Sequence, residues 1–113
     1  MKILIVQDAK RHADAEKFFA GQPDVKIAFG TCVADLQRHI VRAETDESAG
    51  VDGVFTEVFI ANAQVGYVIQ GVCDRVGIPC MLKQAVHVRD DGSTDYELAL
   101  NALRPCLEMM VRR

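Results

Sequence analysis

Lys2-Ile3-Leu4-Ile5-Val6 is a short apolar, largely β-branched run that stops at Gln7-Asp8. Continuous rather than alternating apolarity is the mark of a strand covered on both faces. A strand of that kind needs helices above and below it, and the sequence downstream supplies them. Residues 11–20 turn polar around Ala13, Ala15, Phe18 and Phe19, and Gly21 with Pro23 ends that helix. Residues 25–29 form a second apolar run closed by Gly30, and Thr31 is a good N-cap for a helix over 32–43. There Val33, Leu36, Ile40 and Ala43 recur at helical spacing. After a polar loop at 44–50, residues 51–59 contain the third strand, the most hydrophobic and therefore central, interrupted by Thr56 and Glu57.

Val68, Ile69, Val72, Cys73 and Val76 keep helical period as far as Gly77, where Ile78-Pro79 stops it. Cys80-Met81-Leu82 begins a fourth strand, and Ala85-Val86-His87-Val88 reads as a short fifth, followed by a turn at Asp91-Gly92. Thr94 and Glu97 have capping-box spacing, and Tyr96, Leu100, Leu103, Leu107 and Met110 form the buried stripe of a last helix, which Pro105 is expected to kink. Strand and helix alternate throughout. That alternation predicts an α/β fold: one domain over 1–113, a three-layer, doubly wound parallel sheet of four to five strands.

The chain's bulk properties agree with a single soluble unit. Its 113 residues fall short of an average domain of about 150. Half are hydrophobic and 26% charged, the balance of a globular protein. Thirteen Lys and Arg against sixteen Asp and Glu leave a net charge of -3, with the basic residues scattered, which argues against a nucleic-acid partner. No apolar stretch approaches the roughly 20 residues of a membrane span, and the apolar run after Lys2 is too short for a secretory signal, so a cytoplasmic location is expected. Cys32, Cys73, Cys80 and Cys106 are irregularly spaced within apolar segments and read as buried, reduced thiols. His12, His39 and His87 lack metal-ligand spacing.

In parallel α/β sheets ligands bind beyond the carboxyl ends of the strands. Gln7, Asp8, Gly30, Thr31, Thr56, Glu57, Lys83 and Gln84 stand there. With strand order 2-1-3-4, Asp8 and Glu57 would converge on one crevice and could hold magnesium through oxygen ligands. The plainer account, which we weigh above it, has Asp8 capping the first helix and Glu57 as a strand-end charge paired with Lys83.

The segments 3–8, 52–61 and 78–82 resemble the first, third and fourth strand motifs of response-regulator receiver domains, a flavodoxin-like family. In that family an acidic pair follows strand one, a phosphate-accepting aspartate ends strand three, a Thr or Ser ends strand four and a lysine ends strand five. Gln7 and Asp8 fall on the acidic pair, Glu57 on the phosphate acceptor and Gln84 on the Thr or Ser position, with Lys83 a stand-in for the lysine. Of Gln7, Asp8, Glu57 and Gln84, three depart from the pattern. Glu57 is one methylene too long for in-line attack, Gln7 removes a negative charge that would attract magnesium, and Gln84 offers no hydroxyl. The resemblance implies a regulatory or protein-interaction module in signal transduction, a pseudo-receiver that has lost phosphotransfer and is not an enzyme. In it Glu57 could mimic the charged state. It further implies a protein partner or homodimer docking through the last helix, 96–110, where Met109-Met110 suits an adaptable surface; ordinary core packing of that stripe is the favoured alternative.

A second reading is a small enzyme or binding protein for a nucleotide or phosphorylated metabolite. Residues 62–67 are similar to the polar pocket of nucleoside deoxyribosyltransferases, in which a glutamate attacks a sugar carbon, a role for Glu57 or Asp8. Gly66 alone makes no dinucleotide motif, and Tyr67 reads as half-buried packing rather than a stacking platform. Cys32 at a helix start could have a lowered thiol pKa, but a buried structural role is favoured.

Overall fold

The computed structural model describes residues 1–46, 50–57 and 63–111, with backbone alone at 63–66 and 109–111. Four parallel strands, β1 (Lys2–Val6), β2 (Lys26–Gly30), β3 (Gly53–Thr56) and β4 (Cys80–Leu82), stand in the order β2-β1-β3-β4. Helices α1 (His12–Phe19), α2 (Val33–Ala43), α3 (Ala63–Val76) and α4 (Tyr96–Val111) connect and cover them. This is the doubly wound, flavodoxin-like three-layer α/β fold that the alternation predicts.

Side-chain alternation along β1 splits the core in two. Ile3 and Ile5 join Ala15 and Phe19 of α1 and Tyr96, Leu100, Leu103 and Leu107 of α4. Leu4 and Val6 face the other way, against Leu36 of α2 and Ile69, Val72 and Cys73 of α3. Covering on both faces is why β1 carries no polar residue between Ile3 and Val6. Gly53 opens β3 because a Cβ there would lie 2.9 Å from Leu107 Cδ2, so its hydrogen lets α4 press onto the sheet. Gly77 ends α3 with φ +76, the left-handed conformation that favours glycine after a helix. Among the described residues no helix is long and apolar enough to cross a membrane.

Several local expectations are corrected. Residues 85–88 form no fifth strand: Ala85–His87 is a 3-10 turn, fastened by the Gln84 backbone N–H donating to His87 Nδ1 at 2.8 Å. Val88 then makes a lone antiparallel pairing with Thr94. Thr31 does not cap α2; its N–H instead donates to Asp35 Oδ2 at 2.8 Å, which holds the Asp35 carboxyl below its ordinary pKa. Asp95 rather than Thr94 caps α4, accepting from the Leu98 N–H at 3.0 Å. Pro105 sits inside α4. The stripe Tyr96, Leu100, Leu103 and Leu107 packs into the core, the reading favoured for it from the sequence, so it is not free to dock a partner. Cys32 and Cys106 are exposed rather than buried, while Cys73 is buried and Cys80 partly so. The end of the expected third strand, 58–59, lies outside the described residues, as do 60–62 and the side chains of Met109 and Met110.

Candidate functional site

The sheet register places the site. Val6 pairs with Thr56, and Thr56 with Leu82, so Gln7, Glu57 and Lys83 each stand one residue beyond the end of a strand, in a row. Backbone bonds carry the pairing that one step further: Glu57 N–H donates to Val6 O at 2.8 Å and Lys83 N–H to Thr56 O at 2.9 Å. Three polar residues are thereby drawn under the cover of the domain. All are buried, with Gln7 at 0%, Glu57 at 5% and Lys83 at 6% exposure.

Glu57 is the centre of the cluster. Its Oε2 accepts from Gln7 Nε2 at 2.9 Å and its Oε1 from the Thr94 hydroxyl at 2.5 Å. The Lys83 ammonium donates to that same hydroxyl at 2.8 Å and lies 3.6 Å from Glu57 Oε1. Arg11, at the end of a 3-10 turn over Ala9–Arg11, brings a second cation to 3.8 Å from Oε2. Gln7 Nε2 also donates to the Tyr96 hydroxyl at 3.0 Å. A buried carboxylate is tolerable only when paired and hydrogen-bonded, and Glu57 has both kinds of partner on both oxygens.

Burial dominates the titration of the neighbours. It pulls the Lys83 ammonium below the ordinary lysine value; the attraction of Glu57 opposes this, and repulsion from Arg11 adds to it. It pushes the Tyr96 phenol up, and the hydrogen bond from Gln7 only partly offsets that.

Asp8 stands apart from this network. It extends past β1 and turns back on its own chain, its carboxylate accepting from the Lys10 N–H at 3.2 Å and lying 3.7 Å from Lys10 Nζ. The Asp8 side chain is 59% exposed against 2% for Glu57. The two acids share an end of the sheet but not a contact. A divalent cation does not fit between them: the Glu57 oxygens already face two donors and two cations, so an incoming metal would meet Lys83 and Arg11 instead of a second carboxylate. Among the described residues no group of three or more His, Cys, Asp or Glu side chains could hold a metal. Gln84 is exposed and supplies nothing to Glu57; the hydroxyl comes from Thr94.

Sequence reasoning missed Arg11, Thr94 and Tyr96. Thr94 and Tyr96 lie two apart on the approach to α4, flanking the capping Asp95, and both are buried against the strand ends. A hydroxyl beside a cap residue was the available signal, and its capping-box spacing with Glu97 concealed it. Tyr67, in contrast, is 67% exposed.

Comparison of the chain with protein families, with characterised proteins and with solved structures finds no match.

Proposed function

We propose that this chain is a regulatory or protein-interaction module, receiver-like in architecture, that performs no phosphotransfer and carries Glu57 as a permanent charge at the phosphate-accepting position. One observation carries the reading: both Glu57 oxygens are buried and engaged, one by Thr94 beside Lys83 and the other by Gln7 beside Arg11. A hydroxyl and a lysine gathered on one anion are the groups that the resemblance implies would gather on a phosphoryl group. Here the carboxylate itself holds them, so no transfer is needed to set that state.

The same arrangement weighs against Glu57 as a nucleophile at a sugar carbon. A carboxylate must present a lone pair to the reacting centre, and both oxygens of Glu57 are directed into the protein. Because the apolar stripe of α4 lies in the core, a protein partner or second copy would meet the helix's outward side, where Leu98 and Cys106 are exposed.

The reading is tested by incubating the full chain with magnesium and acetyl phosphate and measuring its intact mass. No phosphoryl gain is expected on Glu57 or Asp8. A gain at either residue, mapped by peptide fragmentation, overturns the proposal. A second arm measures sedimentation velocity across a concentration series, alone and with Leu98→Asp. Self-association that Leu98→Asp abolishes supports docking through α4, and self-association unaffected by it removes α4 as the docking element.

A further inference from the structure

A cleft of about 570 Å³ opens between α1 and the segment leading into α4, on the side of the sheet covered by those two helices. Its volume lies within the usual range for small-ligand sites, about 300–1,000 Å³. Phe18 and Tyr96 supply its apolar wall, their rings 6.0 Å apart and inclined by 25°. Lys17 and Arg89 line it with two positive charges against the single carboxylate of Asp14. The lining residues thus carry one net positive charge, while Asp95 and Asp91 stand beside Arg89 outside the lining.

The polar groups divide into committed and uncommitted ones. The Thr94 hydroxyl is already spent between Glu57 and Lys83, and Ser93 Oγ donates to Asp91 at 2.5 Å. Lys17 and Gln22 make no side-chain hydrogen bond or ion pair among the described residues. Arg89 leans on Asp95 at 3.5 Å, but its side chain is half exposed and that contact is weak. Lys17 and the Gln22 amide are therefore uncommitted beside an aromatic wall, and Arg89 can exchange its exposed contact with Asp95 for an incoming anion.

We propose that this cleft binds a small aryl phosphate or aryl carboxylate, its anionic group held by Lys17 and Arg89 and its ring packed against Phe18 and the edge of Tyr96. Charge-assisted bonds from two flexible cations hold the anion, and the ring excludes water from them. Nothing in this inference depends on the state of Glu57, so it stands or falls separately from the function proposed above.

The test is an amide NMR titration of the full chain with phenyl phosphate, with inorganic phosphate as the comparison. Saturable shifts confined to residues 14–22 and 89–96 are expected, with a Kd of about 0.1–1 mM and at least about tenfold weaker binding of inorganic phosphate. The double variant Lys17→Gln/Arg89→Gln should lose about tenfold or more in affinity with its thermal midpoint unchanged. Absence of saturable shifts up to about 10 mM phenyl phosphate overturns the proposal. So do shifts centred elsewhere, equal binding of inorganic phosphate, or an unaltered affinity in the double variant.

Discussion

Glu57→Gln changes almost nothing in shape and removes one charge from the most buried polar cluster of the molecule. An amide of the same length can accept from the Thr94 hydroxyl through its oxygen, and its NH2 can donate to Gln7 Oε1 once the Gln7 amide turns over. Lys83 loses its buried counter-charge: its side chain is 3% exposed, and the Thr94 hydroxyl at 2.8 Å is a neutral partner that survives the change. Arg11, with a third of its side chain exposed, can turn to water. Removing one member of a buried ion pair costs about 3–5 kcal/mol, and the contacts that Lys83 keeps, the Thr94 bond among them, place this case near the lower end. For 113 residues the unfolding entropy near the midpoint is about 0.24 kcal/mol/K, so a loss of about 3 kcal/mol lowers Tm by roughly 12 °C.

The pH dependence gives the sharper signature. Lys83 already titrates below its ordinary value because of burial, and Glu57 is the largest influence holding it up. Removing that influence pushes the folded-state value down further while the unfolded value stays put. Between the two values the unfolded chain holds more protons, so the variant gains stability as pH rises and its deficit closes toward the ordinary lysine value of about 10.4. Thermal unfolding followed by circular dichroism from neutral to alkaline pH measures this directly. Adding Lys83→Met to Glu57→Gln should recover most of the loss at neutral pH, since an apolar side chain needs no counter-charge. A variant within about 2 °C of the parent at neutral pH, or a deficit that is flat with pH, would show that Glu57 does not compensate a buried Lys83.

Two further substitutions or probes address the rest of the fold. Gly53→Ala should cost about 1 kcal/mol, because the new methyl would sit 2.9 Å from a terminal carbon of the buried Leu107; a urea midpoint equal to the parent's would refute the close approach of α4. The four thiols should divide under a disulfide reagent: Cys32 and Cys106 are exposed and react at once, whereas Cys73 and Cys80 wait for unfolding. Cys73 is buried, and Cys80 is held protonated by its hydrogen bond to Cys73 and by burial. Four fast thiols in the native protein would contradict the packing of α3 on β4.

The fold was legible because each of its strands has an apolar run at its centre and the helices between them have apolar stripes. Those two periods cannot be satisfied together except by a covered parallel sheet. Cys80–Leu82 emerges at the residues where the sequence places it, since Gly77 and Pro79 leave the chain little choice before it. The errors fall where two local rules compete. Residues 85–88 have strand-like composition but no neighbour to pair with along their length, so they close into a 3-10 turn that delivers Val88 to Thr94.

The candidate site was half legible for a related reason. Strand ends are fixed by register, so a strand order of 2-1-3-4 puts Gln7, Glu57 and Lys83 in a row. What a strand-end side chain then touches depends on the segment that folds back across it, and that segment has no periodicity to read. Asp8 illustrates the consequence. It stands two residues beyond β1 where Glu57 stands one beyond β3, no described residue covers it, and an uncovered carboxylate takes the nearest backbone N–H, that of Lys10. Glu57 is covered by Thr94 and Tyr96, and a covered carboxylate must find cations and donors within the protein. The approach to α4 therefore decides which of the two acids becomes structural charge and which remains a cap, and it does so through a hydroxyl that the spacing rules assign to capping.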